Sequence, residues 1–163
     1  MKPFDEITFE DLLPMKSGEV IADWYEDGVR CLMLRGTASM TMYVGIPETH
    51  PLAGHSYDDL PIDCHGGLTF GAKGGGSDTF RPEGFFWYGW DYGHAGDMFL
   101  YDIDPKYMAI MNETTLPDWK KDDVKWTPAM VKKDSWSALY EFKRLVKLAE
   151  AIAARDGSDP SGG

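Results

Sequence analysis

Apolar and polar positions follow one rhythm at the start of the chain, another from residue 19, and a third from residue 127. Ile7 to Leu13 reads as a short helix. Thr8 stands at its cap with Asp11 three residues on, the spacing of a capping box, and Pro14 and Gly18 end it. Residues 19–25 then read as a strand. Asp27-Gly28 follows, a turn signal between two apolar runs. Val29 to Leu34 forms the return strand, Gly36-Thr37-Ala38 a second turn, and Ser39 to Val44 alternates as a third strand. The prediction is an antiparallel meander, with Met33, Met40 and Met42 filling its core.

Residues 45–84 are rich in Gly, Pro, His and Asp. Within them Ile62 to Phe70 reads as a short strand interrupted by Gly66 and Gly67, and Gly71 to Ser77 as a mobile flap or linker. Phe85 to Trp90 is an aromatic strand that leaves through a loop, Asp91 to Asp97. Asp118 to Lys125 is a charged connector. The last third is helical. Thr127 caps it with Pro128 at its first position, and Asp134 offers a second cap. Leu139, Phe142, Val146, Ala149 and Ala153 recur at intervals of three and four, the stripe of an amphipathic helix lying on a sheet. The expected fold is therefore α+β: an antiparallel sheet of five to six strands packed on one face by a long C-terminal helix. Residues 1–157 are expected to form one globular domain, and residues 158–163, beyond Gly157, a disordered tail.

Composition narrows the class. With 43% apolar and 13% aromatic residues the chain is not a disordered polymer. No apolar run reaches the roughly 18 residues of a membrane-spanning helix. The acidic start, Met1 to Glu6, lacks the apolar core of a secretion signal. Cys31 and Cys64 alone make no disulfide framework. These features predict a soluble cytoplasmic protein. Sixteen basic and 27 acidic residues give a net charge of −11, and residues 1–64 carry −8 of it. A protein that neutralises phosphates along a duplex needs a basic face, so neither long nucleic acid nor an anionic membrane is an expected partner.

The chemistry gathers between residues 50 and 97. Asp63 and His65 are two apart, one face of a strand, with Gly66 and Gly67 behind them, where backbone can approach a ligand. Asp91, His94 and Asp97 are spaced by threes in a loop at a strand end. If the two segments meet, two imidazoles and up to three carboxylates converge. Such a set serves either as an acid–base pair, each histidine oriented by an aspartate, or as the ligand set of a divalent metal. Trp87 and Trp90 on the aromatic strand are candidates to stack a base. Thr69, His55 and Tyr57 are further candidate ligand contacts. Cys64 alternates with Asp63 and His65 and reads as core, not as a nucleophile. Gly74-Gly75-Gly76 lacks the ending of a phosphate-binding loop.

Val44-Gly45-Ile46-Pro47, His50-Pro51-Leu52, Asp63 to Phe70, Trp87 to Asp97 and Trp126-Thr127 together resemble a widespread group of small bacteriophage proteins. Their shared pattern is a Val-His-Gly-Gly-Leu/Ile-Thr-Tyr-like segment followed by a Trp-x-Gly-Phe-Asp-x-x-His-x-Gly-Asp-like one. The likeness spans residues 43–153. It departs at Trp90, where Phe is usual, at Cys64, where Val is common, and at Asp134 to Leu139, an added stretch. The resemblance implies a counter-defence role, of the kind that destroys the cyclic dinucleotide signals of CBASS systems. On that reading the partner is a small nucleotide, and a homodimer is compatible with it. A nucleotide-sequestering sponge and an acidic inhibitor of a host enzyme are the alternatives.

Overall fold

A computed structural model describes residues 2–77, 80–112 and 115–157. At its centre is one antiparallel sheet built from β1 (Val20–Glu26), β2 (Val29–Arg35), β3 (Met40–Pro47), β4 (Phe70–Lys73) and β5 (Phe85–Asp91). The strand order is β1-β2-β3-β5-β4, which puts β3 in the middle. Three helices follow: α1 (Pro105–Ile110), α2 (Pro128–Asp134) and α3 (Trp136–Arg155). The architecture is α+β, with five strands and a long C-terminal helix. Among the described residues no helix is long and apolar enough to cross a membrane. The expected tail, 158–163, lies outside the described residues.

Local chemistry explains most of these elements. Glu26 pairs with Val29, and Asp27 and Gly28 between them have φ of 44° and 84°. Positive φ at both central residues is what a type I′ hairpin turn requires. Near the N-terminus the Thr8 amide donates to Asp11 at 2.8 Å and the Asp11 amide to the Thr8 hydroxyl at 3.2 Å, a reciprocal capping box. These bonds and the Lys2 ammonium hold the Asp11 carboxyl down at about 2. The element they cap is only a 3-10 turn, Glu10–Leu12, and Pro14 has no N–H to donate to Glu10 O.

α3 buries Ala138, Leu139, Phe142, Val146 and Ala153. The first four meet Met33, Met42, Val44, Tyr88 and Trp90 of the sheet in the main core. Full burial of a side chain such as Phe142 contributes about 1.5–3 kcal/mol. The opposite face is covered too, which the expected one-sided packing omits. There Leu32, Leu34 and Trp87 form a second buried cluster with Tyr43, Phe70 and Phe85. Its cover is the glycine-rich segment after β4. Gly74 donates to Phe85 O at 3.0 Å and Gly75 to Arg81 O at 2.9 Å. The Trp87 indole donates to Pro82 O at 3.0 Å, and the Arg81 guanidinium lies over the Tyr43 and Phe70 rings. A Cβ at Gly74 would collide with Pro82 O, so this residue is glycine for packing. Its described residues, 74–77 and 80–84, are thus a fitted cover and not a free flap.

Three further expectations need correction. Residues 62–69 form no strand: Gly66 and Gly67 have φ of 70° and 79°, a left-handed pair that folds the chain back, with Gly67 N donating to Cys64 O at 2.9 Å. The ladder starts only at Phe70, so Asp63 and His65 share no strand face. Asp134 caps no helix. It ends α2 and accepts a bond from the Tyr92 hydroxyl at 2.8 Å. α1 lies between the predicted loop and the charged connector, where the sequence pattern predicts no element, with Asp104 accepting from Lys106 N at its cap.

At the sheet end away from the β1–β2 turn, Arg35 is a buried cation bonded to backbone carbonyls. Its guanidinium donates to the carbonyls of Leu12 (3.1 Å), Leu13 (3.3 Å), Gly36 (2.7 Å) and Thr37 (3.1 Å). It thereby clamps the N-terminal turn onto the β2–β3 connection, and burial pulls its pKa down. Arg35→Met keeps the apolar stem and strands these carbonyls. We expect a loss of about 2–4 kcal/mol in urea unfolding, seen as a lower midpoint at unchanged slope.

Candidate active site

The loops that leave β5 and precede β4 meet beyond the end of β5. Asp97 is 3% exposed, and a carboxylate so buried must find donors. It finds three. Asp97 Oδ1 accepts from the Trp126 indole at 2.7 Å. Oδ2 accepts from the backbone N–H of His94 at 2.9 Å and stands 2.7 Å from His65 Nε2. The Asp97 strand segment is itself held by pairing with Val124, whose N–H donates to Gly96 O at 2.9 Å while its O accepts from Met98 N at 2.8 Å.

The ionised carboxylate accepts only, so the His65 nitrogen facing it carries the proton. That leaves Nδ1 of neutral His65 with its lone pair, and among the described residues it makes no hydrogen bond. The ring is fixed by packing. It stacks on Tyr92 (centroids 4.7 Å apart, planes at 12°) and meets the Trp126 ring edge-on at 4.9 Å. Tyr92 is itself fully buried, accepts from the Trp90 indole at 3.1 Å and donates to Asp134. Burial pushes the Tyr92 phenol up, which keeps it a neutral donor.

His94 completes the pair. Its ring centroid is 5.7 Å from that of His65. His94 Nε2 is shielded from solvent and lies 3.2 Å from Asp91 Oδ1, within ion-pair reach but outside hydrogen-bond alignment. Asp91 Oδ1 accepts from Gly93 N at 2.9 Å. Gly66 closes the other side. A Cβ there would run into the His94 ring, so positive φ and close packing both demand glycine. His94 Nδ1, like that of His65, makes no hydrogen bond to a described residue. A cleft of about 300 Å³ opens beside Asp91 and Gly93, lined also by Thr37, Ala38, Ser39 and Thr41.

Of the residues singled out from sequence, His65, His94, Asp91, Asp97 and Gly66 come together. Asp63 is exposed and bonds to neither histidine. Trp87 and Trp90 are 0% and 1% exposed, so neither can stack a ligand. The expected open aromatic face is core because both faces of the sheet are covered. Gly67 serves the turn, and Thr69 N donates to Gly89 O at 3.0 Å. His55 Nε2 is bound to Pro51 O at 3.0 Å, and Tyr57 packs on the core near Gly71. None of these bonds reaches the histidine pair. Trp126 is the member that residue chemistry missed as a site group. A tryptophan before a helix cap carries no local sign that its indole will reach a carboxylate 29 residues earlier.

Two readings of the residue set can now be weighed. Among the described residues no three His, Cys, Asp or Glu side chains converge as metal ligands. Both Asp97 oxygens are also spent on internal donors. The arrangement thus fits the acid–base alternative and does not fit the divalent-metal one. Comparison with family models, with curated proteins and with solved structures finds no match.

Removing the anchor should be costly. Asp97→Ala strands three donors, and we expect a loss of about 3–5 kcal/mol in urea unfolding, with Asp97→Asn, which keeps one acceptor oxygen, losing less. Cys64 packs against the core, and burial raises its thiol to about 12. At pH 8 we expect it to react with a disulfide reagent at least about a hundred-fold more slowly than free cysteine, because little thiolate is present.

Proposed function

We propose that the chain is a phosphodiesterase acting on a cyclic dinucleotide or a similar small nucleotide signal, in a phage counter-defence role. The observation that carries this reading is the paired display of two imidazoles, 5.7 Å apart, one tautomer being fixed by a buried carboxylate. Neutral His65 takes a proton at Nδ1 from a water. The water oxygen forms a bond to phosphorus, and the P–O ester bond breaks. Protonated His94 delivers its Nδ1 proton to the leaving oxygen. Water and diester become a monoester and an alcohol, and the proton taken by one imidazole replaces that given by the other. Asp97 supplies the counter-charge for the imidazolium that forms on His65. The phosphodiester identity draws support from the bacteriophage resemblance. The acid–base character draws support from the geometry.

The charge of −11 repels a dianionic substrate, so encounter should quicken as salt screens it. Incubation with cyclic GMP-AMP, followed by chromatography, should yield linear products in the presence of a chelator. The kcat/KM should rise with ionic strength. His65→Ala and His94→Ala should each lower turnover by about 10²–10⁴-fold while their melting curves stay cooperative. Untouched dinucleotide, or full activity in both variants, rejects the proposal. Tight binding with intact ligand recovered after denaturation would establish sequestration instead. Capture of a host enzyme, lost in high salt and indifferent to both substitutions, would establish an acidic inhibitor.

A further inference from the structure

The cleft beside the histidine pair has a chemistry of its own. Its lining is Thr37, Ala38, Ser39, Thr41, Asp91 and Gly93, which is three hydroxyls, one carboxylate and no cation. At about 300 Å³ it lies at the small end of the roughly 300–1,000 Å³ typical of ligand sites. A phosphate placed there would meet only the Asp91 charge. A neutral polyol would find what it needs.

Three observations point to sugar hydroxyls. Asp91 spends Oδ1 on Gly93 N, whereas Oδ2 makes no hydrogen bond to a described residue and its side chain is 38% exposed. Carboxylates bind ribose hydroxyls by accepting from them, as in dinucleotide sites. Ser39 is 3% exposed, yet its hydroxyl has only a 3.5 Å contact, to Met40 O. A buried hydroxyl so weakly bonded at a cleft wall is open to a better partner. Finally, Gly93 leaves a gap at this point. A methyl group built on it would sit 3.4 Å from Asp91 Oδ1, 3.5 Å from the Phe99 ring and 3.8 Å from Ser39 Oγ. Those three groups face one position from three sides, two polar and one apolar, the mixture a sugar ring presents in return. Gly93 has no positive φ, so the absence of a side chain here is not a backbone requirement.

We infer that this cleft is a ribose subsite, with Asp91 Oδ2 accepting from a ribose hydroxyl, the Ser39 hydroxyl as its second polar contact and Phe99 against the sugar's carbon face. The inference rests on the acid–base reading of the adjoining histidines and narrows its substrate class to nucleotides with a free sugar hydroxyl. A sugar without one offers Asp91 nothing to accept from.

The test separates binding from turnover. Isotope-labelled protein is titrated with adenosine, with 2′,3′-dideoxyadenosine and with inorganic phosphate, following the amide resonances of Ser39, Thr41, Gly93 and Leu100. Adenosine should shift these four at millimolar concentration, and the dideoxy nucleoside should bind at least about tenfold more weakly. Phosphate should leave them in place. Gly93→Ala adds a methyl at ordinary contact distances, so it should fold, keep the remaining spectrum and lose the adenosine response. Asp91→Asn should erase the difference between the two nucleosides. Equal shifts from both nucleosides, or an unchanged response in Gly93→Ala, would overturn the subsite. Because adenosine has no phosphodiester, a hydroxyl-dependent response beside untouched cyclic GMP-AMP upholds the subsite and rejects the hydrolase. Equal turnover of cyclic GMP-AMP by Gly93→Ala and the parent chain does the reverse.

Discussion

A carboxylate out of water is the constraint on which this molecule's site depends. Asp97 can be buried only because three donors from three separated segments close on it: the His65 ring, the His94 amide and the Trp126 indole. Each donor alone is a modest interaction. Their joint requirement is strong, since the loss of any one leaves charge under-solvated in a medium where that is expensive. The same bonds that satisfy Asp97 therefore locate the turn before β4, the loop after β5 and the approach to α2. The histidine pair is a by-product of solving a solvation problem.

Aromatic packing makes that solution rigid. Tyr92 carries the alternation of β5 one step beyond the ladder and packs with the His65 and Trp126 rings in a three-way cluster. Through its hydroxyl it ties the Trp90 indole to Asp134 and hence the sheet to α2. The N-terminal turn is held by the opposite device. Arg35 is a buried cation whose guanidinium is met by four carbonyl dipoles. Arg35 and Asp97, buried charges of opposite sign, hold the loops at two places around the apolar interior, and Asp102, buried beside Lys120, holds a third. An under-bonded hydroxyl, Ser39, stands out against this background.

Much of the fold was legible in the residues because its determinants are local. The Asp27-Gly28 turn, the alternation of β3 and the stripe of α3 each depend on neighbours a few positions away. β2 carries a further signal. Val29, Cys31, Leu32, Met33 and Leu34 are apolar on both faces, the mark of a strand covered on both sides, and that should have forbidden an open aromatic face at Trp87 and Trp90. Gly66 and Gly67 were legible as special but not in what they do. Two left-handed residues fold the chain back ahead of β4, and that moves Asp63 away from the site it was assigned to.

The sequence by itself determined the element types, the apolar faces and the small set of residues able to move protons, because side-chain chemistry and short-range periodicity are written in order along the chain. Only the tertiary structure decided which of those residues meet. His65 and Asp97 are 32 positions apart, and Asp97 and Trp126 a further 29. Whether they touch depends on how loops pack once the sheet has formed, and no local preference encodes it. The tautomer of His65 and the burial of Asp97 are consequences of desolvation, a property that exists only after the chain has closed around its own charges.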